Sequence, residues 1–137
     1  MNAEVNGVRV LLRTLAEVRD GPFYTLWVEL THRLKRLTPQ IGFRISQVAD
    51  CEDACLGVGV SATREDGLEL DWYVGLTTSP DNLQVTGAIA ITDDTGSREV
   101  FTRSAAAANP QLAADLVRNY AAEVCAQLHW FDKPEVG

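Results

Sequence analysis

Apolar and polar residues alternate strictly along residues 68–91, apart from a polar interruption at 77–82. This period of two is typical of strands that bury one face, because successive side chains of a strand point to opposite sides. The apolar positions on one side are Leu68, Leu70, Trp72, Val74 and Leu76, and then Leu83, Val85, Gly87, Ile89 and Ile91. The pattern predicts a central β-hairpin in an antiparallel sheet.

The same alternation restricts how the two strands pair. A slip of one residue would turn every apolar side chain outward, so both apolar sets must stay on one face. A six-residue loop at 77–82 places Leu76 opposite Leu83. That register sets Trp72 opposite Gly87, and an indole opposite a residue without a side chain suits a close-packed layer. We therefore predict a Trp72–Gly87 pair.

A preceding strand is predicted at residues 56–63, where apolar and small residues alternate. A three-residue loop, 65–67, keeps its apolar face on the side of Trp72, and Gly67 suits the positive φ that such loops need in their last place. Tyr73 is then opposite Gly59 on the other side of the sheet. We expect the ring of Tyr73 to cover the bare backbone of Gly59.

Helical spacing of apolar residues predicts two helices before the sheet, at residues 8–18 and 23–37. Residues 8–10 would also suit a short strand. The sequence Asp-Gly-Pro at 20–22 predicts a break between the helices, and Pro39 predicts the end of the second. The polar side of the second helix carries Glu29, His32, Arg33, Lys35 and Arg36. We interpret the basic residues of this set as complements of the negative end of the helix dipole. The alternative is that they bind an anionic partner.

The remaining elements follow from shorter signals. Residues 41–48 read as a first strand, and residues 97–103 as a fifth, edge strand of ambiguous register, reached through a turn at 93–96. After a connector at 104–108, Asn109 and Pro110 predict the cap and first residue of a last helix. The predicted buried stripe of that helix is Leu112, Leu116, Val117, Tyr120, Val124 and Leu128. We expect Trp130 and Phe131 to pin the helix end to the core, with an exposed interaction anchor as the alternative.

These elements predict a two-layer α+β domain. Its five-stranded antiparallel meander sheet carries two N-terminal helices and one C-terminal helix on one face. The 137 residues suit a single domain spanning residues 1–137, with residues 1–7 and 132–137 poorly ordered.

Composition narrows the classes of partner. The net charge of −7 disfavours nucleic acid and anionic membrane, both of which attract clustered Lys and Arg. The chain shows no apolar run of roughly 18 residues and no secretory signal, so we expect a cytoplasmic protein. Cys51, Cys55 and Cys125 suit free thiols in a reducing compartment, and the spacing of the first two matches no common zinc signature.

No catalytic, metal or cofactor motif stands out in the sequence. Glu69 and Asp71 lie two residues apart on one face, but an open face would leave both carboxylates solvated and ordinary. His32 and His129 have no recognisable nucleophile beside them. The chain also lacks a glycine-rich phosphate loop. We therefore predict no catalytic residue, no metal and no cofactor, and lean against an enzyme.

The face of the sheet turned away from the apolar side is neither apolar enough for a core nor charged like a purely solvated surface, and around Tyr73 it is small and flat. A plain solvent-facing surface is common for such a face, while protein contact and a ligand surface are the alternatives. The predicted partner-binding residues are Gly59, Ser61, Glu69, Asp71, Tyr73, Thr86 and Ala88.

The function predicted from these features is that of a non-enzymatic interaction module. Small acidic cytoplasmic adaptors, chaperones, inhibitors and immunity proteins share this size, charge and fold class, which is an analogy only. The module would bind a protein partner or itself, as a homodimer, through the outer sheet face or an edge strand. The alternative is a small-molecule-binding protein or enzyme with a cleft between sheet and helices that reaches Trp72, Trp27 or Tyr73.

Overall fold

A computed structural model describes residues 3–47, 54–78 and 83–133 of the chain. The elements, in chain order, are α1 (Ala3–Val18), α2 (Tyr24–Arg33), β1 (Gln40–Gln47), β2 (Ala54–Thr63), β3 (Glu69–Thr78), β4 (Leu83–Asp93), β5 (Gly96–Ala107), α3 (Pro110–Cys125) and α4 (His129–Asp132). The strands form one antiparallel sheet in the order β1-β2-β3-β4-β5. The helices pack against one face of it, so the predicted α+β architecture is confirmed.

The core lies between the sheet and the helices. The apolar face predicted from the alternation is buried there, together with Leu11, Leu15, Phe23, Leu26 and Leu30 from the N-terminal helical region. Trp72 is fully buried at the centre, and its Nε1 donates a hydrogen bond to the carbonyl oxygen of Gln127 at 3.1 Å. The indole is therefore both a large apolar contact and a tie to the chain that follows α3.

The β2–β3 hairpin has the predicted register. Val60 is opposite Trp72, and Gly59 is opposite Tyr73. Gly67 closes the loop with a φ of 91°, a left-handed conformation that favours glycine.

The predicted register of the β3–β4 hairpin is wrong by two residues. Trp72 is opposite Ile89, and Gly87 is opposite Val74. The strands pair as far as Thr78 and Leu83, so the connection is shorter than predicted and its residues, 79–82, lie outside the described part. Both registers bury the same face, which is why the alternation alone could not separate them.

The space above Gly87 is taken by helix α3. A Cβ added at Gly87 would stand 2.8 Å from the Cβ of Tyr120. Real Cβ atoms do not approach that closely, so this glycine lets α3 settle on β4. The missing side chain thus accommodates a helix rather than the indole of Trp72.

The predicted break before α2 is also wrong. Residues Arg19–Phe23 continue the helix as a π-helical turn that contains Pro22. Such a turn holds an extra residue without ending the helix, and proline removes only one backbone donor from it.

Helix α2 ends earlier than predicted. Leu34 is extended, with φ −94° and ψ 126°, and the following segment leads into β1. Leu37, one of the apolar residues from which the helix at 23–37 was predicted, is consequently 47% exposed. The Nε1 of Trp27 donates to the carbonyl oxygen of Pro39 at 2.6 Å, which holds this segment against the helix.

Strand β5 runs through the predicted connector as far as Ala107. Its register shifts between Ile89 and Ala90 of β4, because Val100 is an extra residue between two paired ones. This β-bulge is the reason the alternation of residues 97–103 reads ambiguously.

Helix α3 starts as predicted, with Asn109 Oδ1 accepting from the backbone N–H of Leu112 at 2.9 Å. Its buried side differs from the predicted stripe. Leu112 is 48% exposed, whereas three alanines, Ala113, Ala114 and Ala121, are fully buried. Helix α1 packs beside α3, and small side chains let the helices approach closely. At the chain end Phe131 is buried and Trp130 half-buried, as the core interpretation expects.

Candidate interaction surface

The candidate site is the sheet face opposite the helices, called the outer face below. It comprises Gly42, Gly57, Gly59, Ser61, Glu69, Asp71, Tyr73, Gly75, Thr86, Ala88, Ala90, Glu99, Thr102 and Ser104. The strand registers place one row of residues straight across all five strands: Gly42, Gly59, Tyr73, Ala88 and Thr102. Tyr73 is the only aromatic residue in that row, and small residues surround it.

All residues predicted to bind a partner lie on this face. Asp71 stands between Ser61 and Ala90, rather than next to Ala88, because of the corrected register. Thr86 stands between Gly75 and Ser104. Their role in binding stays a prediction.

The ring of Tyr73 points away from the glycine that it was expected to cover. Its hydroxyl oxygen lies 3.5 Å from Oε1 of Glu99 on β5, two strands from β3 in the direction opposite to Gly59. The phenol therefore crosses β4 above Ala88, which is fully buried although it is on the outer face. Tyr73 itself is half-buried.

The glycines of the outer face differ in what their neighbours allow. A Cβ at Gly59 would stand 2.6 Å from the carbonyl oxygen of Trp72, and one at Gly57 would stand 2.8 Å from that of Val74. These two glycines are therefore required by the close approach of β2 and β3. A Cβ at Gly42 would meet nothing within 4 Å, so the fold itself does not require glycine there.

The charged side chains described on the outer face are acidic. They are Glu69, Asp71 and Glu99. The carboxylate of Glu99 accepts hydrogen bonds from Tyr73 and from Thr102, the latter at 2.6 Å. One end of the face thus presents negative charge beside an aromatic ring.

Sequence reasoning missed Glu99 and Thr102 because the register of β5 could not be read through its bulge. The turn before the strand could have revealed Glu99, whereas Thr102 lies beyond the bulge and could not be placed by counting from that turn. Gly96, with a φ of 134°, pairs with Asp93, and counting from that turn places Ser97 beside Thr92 on the outer face. Thr92 Oγ1 donates to Ser97 Oγ at 3.1 Å.

A second feature is an open cleft of about 360 Å³ at the end of the molecule where β2 turns into β3. Its lining is Arg33, Leu34, Lys35, Arg64, Glu65, Asp66, Phe131 and Asp132. The alternative function predicted a cleft reaching Trp72, Trp27 or Tyr73, and none of these lines it.

The charges of this cleft largely satisfy one another. Arg64 donates to the carbonyl oxygen of Phe131 at 3.0 Å and pairs with Asp66 at 3.1 Å. Arg33 pairs with Asp132 at 3.3 Å. These contacts join α2 and the β2–β3 turn to α4, which indicates a structural clamp.

The remaining candidate groups show no arrangement for chemistry. Cys55 and Cys125 are free thiols, and burial raises the pKa of Cys125 above its ordinary value. Cys51 lies outside the described residues. Within residues 3–47, 54–78 and 83–133, no three His, Cys, Asp or Glu side chains cluster as metal ligands. No helix in those ranges is both long and apolar enough to cross a membrane.

Comparisons with protein-family models, with curated proteins and with solved structures find no match to this chain.

Proposed function

We propose that the protein is a non-enzymatic interaction module whose outer face binds a protein partner. The row from Gly42 to Thr102 carries this proposal, because it sets one half-buried aromatic ring among small residues across the whole sheet. Aromatic side chains of this kind serve as anchors at protein interfaces. The small neighbours leave room for side chains of the partner around the ring.

The size of the outer face supports a protein rather than a small ligand. Five strands spaced by about 4.8 Å, with roughly eight residues each rising about 3.3 Å, give an area on the order of 600 Å². A standard interface takes roughly 800 Å² from each partner. A flat surface of this extent offers little enclosure for a small molecule, which is usually bound in a concave site.

The charge of the face favours a partner with cationic side chains. Glu69, Asp71 and Glu99 lie towards the end of the face that holds the β2–β3 and β4–β5 turns. Complementary charge at an interface steers association and suppresses unsuitable partners. We expect the partner to set Lys or Arg opposite these carboxylates and an apolar group against Tyr73.

The alternative, a small-molecule site between sheet and helices, has less support. Trp72 is fully buried and hydrogen-bonded to Gln127, so it belongs to the packed core. Trp27 is bonded to Pro39. Neither indole is left to contact a ligand in the open cleft beside Arg64.

A matched pair of charge reversals tests the proposal. Glu99→Lys changes the outer face, and Glu123→Lys makes the same change on α3, where Glu123 pairs with Arg103 at 3.6 Å. Partners captured from the native cells would be identified by mass spectrometry, purified and titrated against both variants and the parent protein. We expect Glu99→Lys to weaken binding at least tenfold, since like charges then face each other, and Glu123→Lys to leave it unchanged.

The control separates a specific contact from a general effect of charge. Both variants raise the net charge equally, and both remove an exposed acid from a polar contact. Equal weakening by the two variants, or weakening by Glu123→Lys alone, would contradict the proposal. Loss of affinity at higher salt for the parent protein would support a cationic partner.

A further inference from the structure

The two edges of the sheet differ in how they are protected against pairing with another strand. Edge strand β5 carries a bulge at Val100 and the charged residues Arg98, Glu99 and Arg103. Bulges and charges are the usual means by which proteins block edges. Edge strand β1 pairs with β2 without any register shift, contains no proline, and has Arg44 as its one charged residue. Strand β1 is therefore the unprotected edge.

Gly42 gives a second reason to expect a contact at β1. Glycine weakens a strand, and inside one it commonly marks a bulge or the close approach of another backbone. The register of β1 shows no bulge at Gly42, φ is not positive there, and its Cβ position is open. Among the causes that such a glycine commonly marks, the approach of another chain or of a ligand remains.

Exposed apolar side chains lie along the same edge. Phe43 is 47% exposed, and the guanidinium of Arg19 stands over its ring at 4.7 Å. Tyr24 is 53% exposed and stacks on Trp27, whose indole is bonded to Pro39 just before β1. The helical residues from Arg19 to Trp27 thus run alongside β1, and their aromatic rings border its edge.

We propose that β1 pairs in antiparallel fashion with β1 of a second copy of this chain, about a two-fold axis at Phe43. Two five-stranded sheets would then form one continuous sheet with both helical layers on the same side. This inference does not depend on the proposed function of the outer face.

The position of the axis follows from the faces of the strand. In one continuous sheet, opposite residues must point to the same face, so an axis perpendicular to the sheet passes through a residue rather than between two. Phe43 is the middle apolar residue of β1 and, in this register, is opposite Phe43 of the second copy. Cross-strand aromatic pairs stabilise a sheet. Gly42 is then opposite Arg44 of the second copy.

A second copy suits this edge better than an acidic or basic partner does. Strand β1 carries one charged residue, Arg44, and the Arg19 close to the axis is paired with its own Asp20 at 2.8 Å. The half-exposed rings of Phe43 and Tyr24, each of roughly 150–250 Å² in total, give on the order of 200 Å² per copy. That area is below the roughly 800 Å² of a standard interface, so we expect a dimer that dissociates on dilution.

Charge pairing at position 43 provides the test. Phe43→Glu and Phe43→Lys each place like charges opposite one another across the axis, whereas a mixture of the two variants places opposite charges there. Light scattering after size exclusion would follow the mass over a series of concentrations. We expect the parent protein to approach twice 15.0 kDa, each variant alone to stay at 15.0 kDa, and the mixture to recover the dimer.

Leu112→Glu is the control, because Leu112 is equally exposed, at 48%, but lies on α3. It should dimerise like the parent protein, and circular dichroism would verify that every variant folds. A parent protein of 15.0 kDa at all concentrations would overturn the proposal. So would a dimer that survives Phe43→Glu, or a mixture that stays monomeric.

Discussion

Single glycines in this sheet have different causes, and their neighbours distinguish them. Gly87 leaves space for Tyr120 of α3, and Gly59 leaves space for the carbonyl oxygen of Trp72. Gly42 has no neighbour that requires it. The first two therefore serve the packing of the fold, while the third is available for a contact with another molecule.

Substitution with alanine should separate these cases. In Gly87→Ala the new Cβ would collide with Tyr120 at 2.8 Å, so α3 must shift. We expect a loss of about 1–3 kcal/mol in the free energy of unfolding, as for other overpacked sites. Gly42→Ala should be neutral or stabilising by roughly 0.5–1 kcal/mol, because alanine costs less conformational entropy.

Urea unfolding of both variants at one protein concentration measures the difference. A Gly87→Ala variant as stable as the parent protein would contradict the collision with Tyr120. A Gly42→Ala variant that lost as much stability as Gly87→Ala would contradict the open position at Gly42.

Among the elements, the short helix α4 depends most on contacts from elsewhere. A helix of four residues has little stability of its own, because the first turn of a helix is costly to form. Phe131 packs into the core, Arg64 donates to its carbonyl oxygen, and Trp72 donates to Gln127 just before α4. Side chains from the β2–β3 turn and from β3 therefore keep α4 on the sheet.

Removing one of these contacts should release α4 without unfolding the molecule. Arg64→Ala takes away the bond to Phe131 and the pairing with Asp66. We expect a loss of about 1 kcal/mol in the free energy of unfolding, less than a fully buried charged donor would contribute, because the side chain is 27% exposed. Hydrogen exchange should show lost protection at the amides of Phe131 and Lys133, which are bonded within this region.

Arg98→Ala is the matched control, since Arg98 pairs with Asp93 at the other turn of the sheet. It should leave α4 protected. Protection of α4 that is unchanged in Arg64→Ala would contradict the clamp.

The alternation of apolar and polar residues predicted some features of the strands and not others. Alternation predicted which face of each central strand is buried, because the period of two fixes that face directly. It could not choose between β3–β4 registers that differ by two residues, since both bury the same side chains. The predicted pairing of Gly87 with Trp72 overlooked Tyr120, which is distant in sequence and occupies the space above Gly87.

The prediction of the buried side of α3 was wrong for a related reason. The buried side of α3 carries alanines, and α1 packs beside this helix. A stripe predicted from large apolar residues does not include these alanines. The candidate site was predicted in its centre, at Tyr73 and its neighbours, but not on β5. Glu99 follows the β4–β5 turn in regular alternation, whereas Thr102 reaches the outer face only through the bulge at Val100.

Within residues 3–47, 54–78 and 83–133, helices cover one face of the sheet and leave the other uncovered. The helices and the C-terminal segment complete the core on one side. The outer face holds an aromatic ring, small residues and acidic groups, and among the described residues no helix packs on it. We propose that a protein partner covers this face.

Site-specific photo-crosslinking in the native cells would show directly whether a protein partner covers the outer face. A photoreactive residue at Thr102 would probe the outer face, and one at Thr25, equally exposed on α2, would probe the helical layer. We expect the photoreactive residue at position 102 to give a discrete crosslinked protein. The same protein should not crosslink at position 25, and it should be lost from position 102 when Glu99→Lys is added. A crosslinked partner at position 25 alone, or none at position 102, would contradict it.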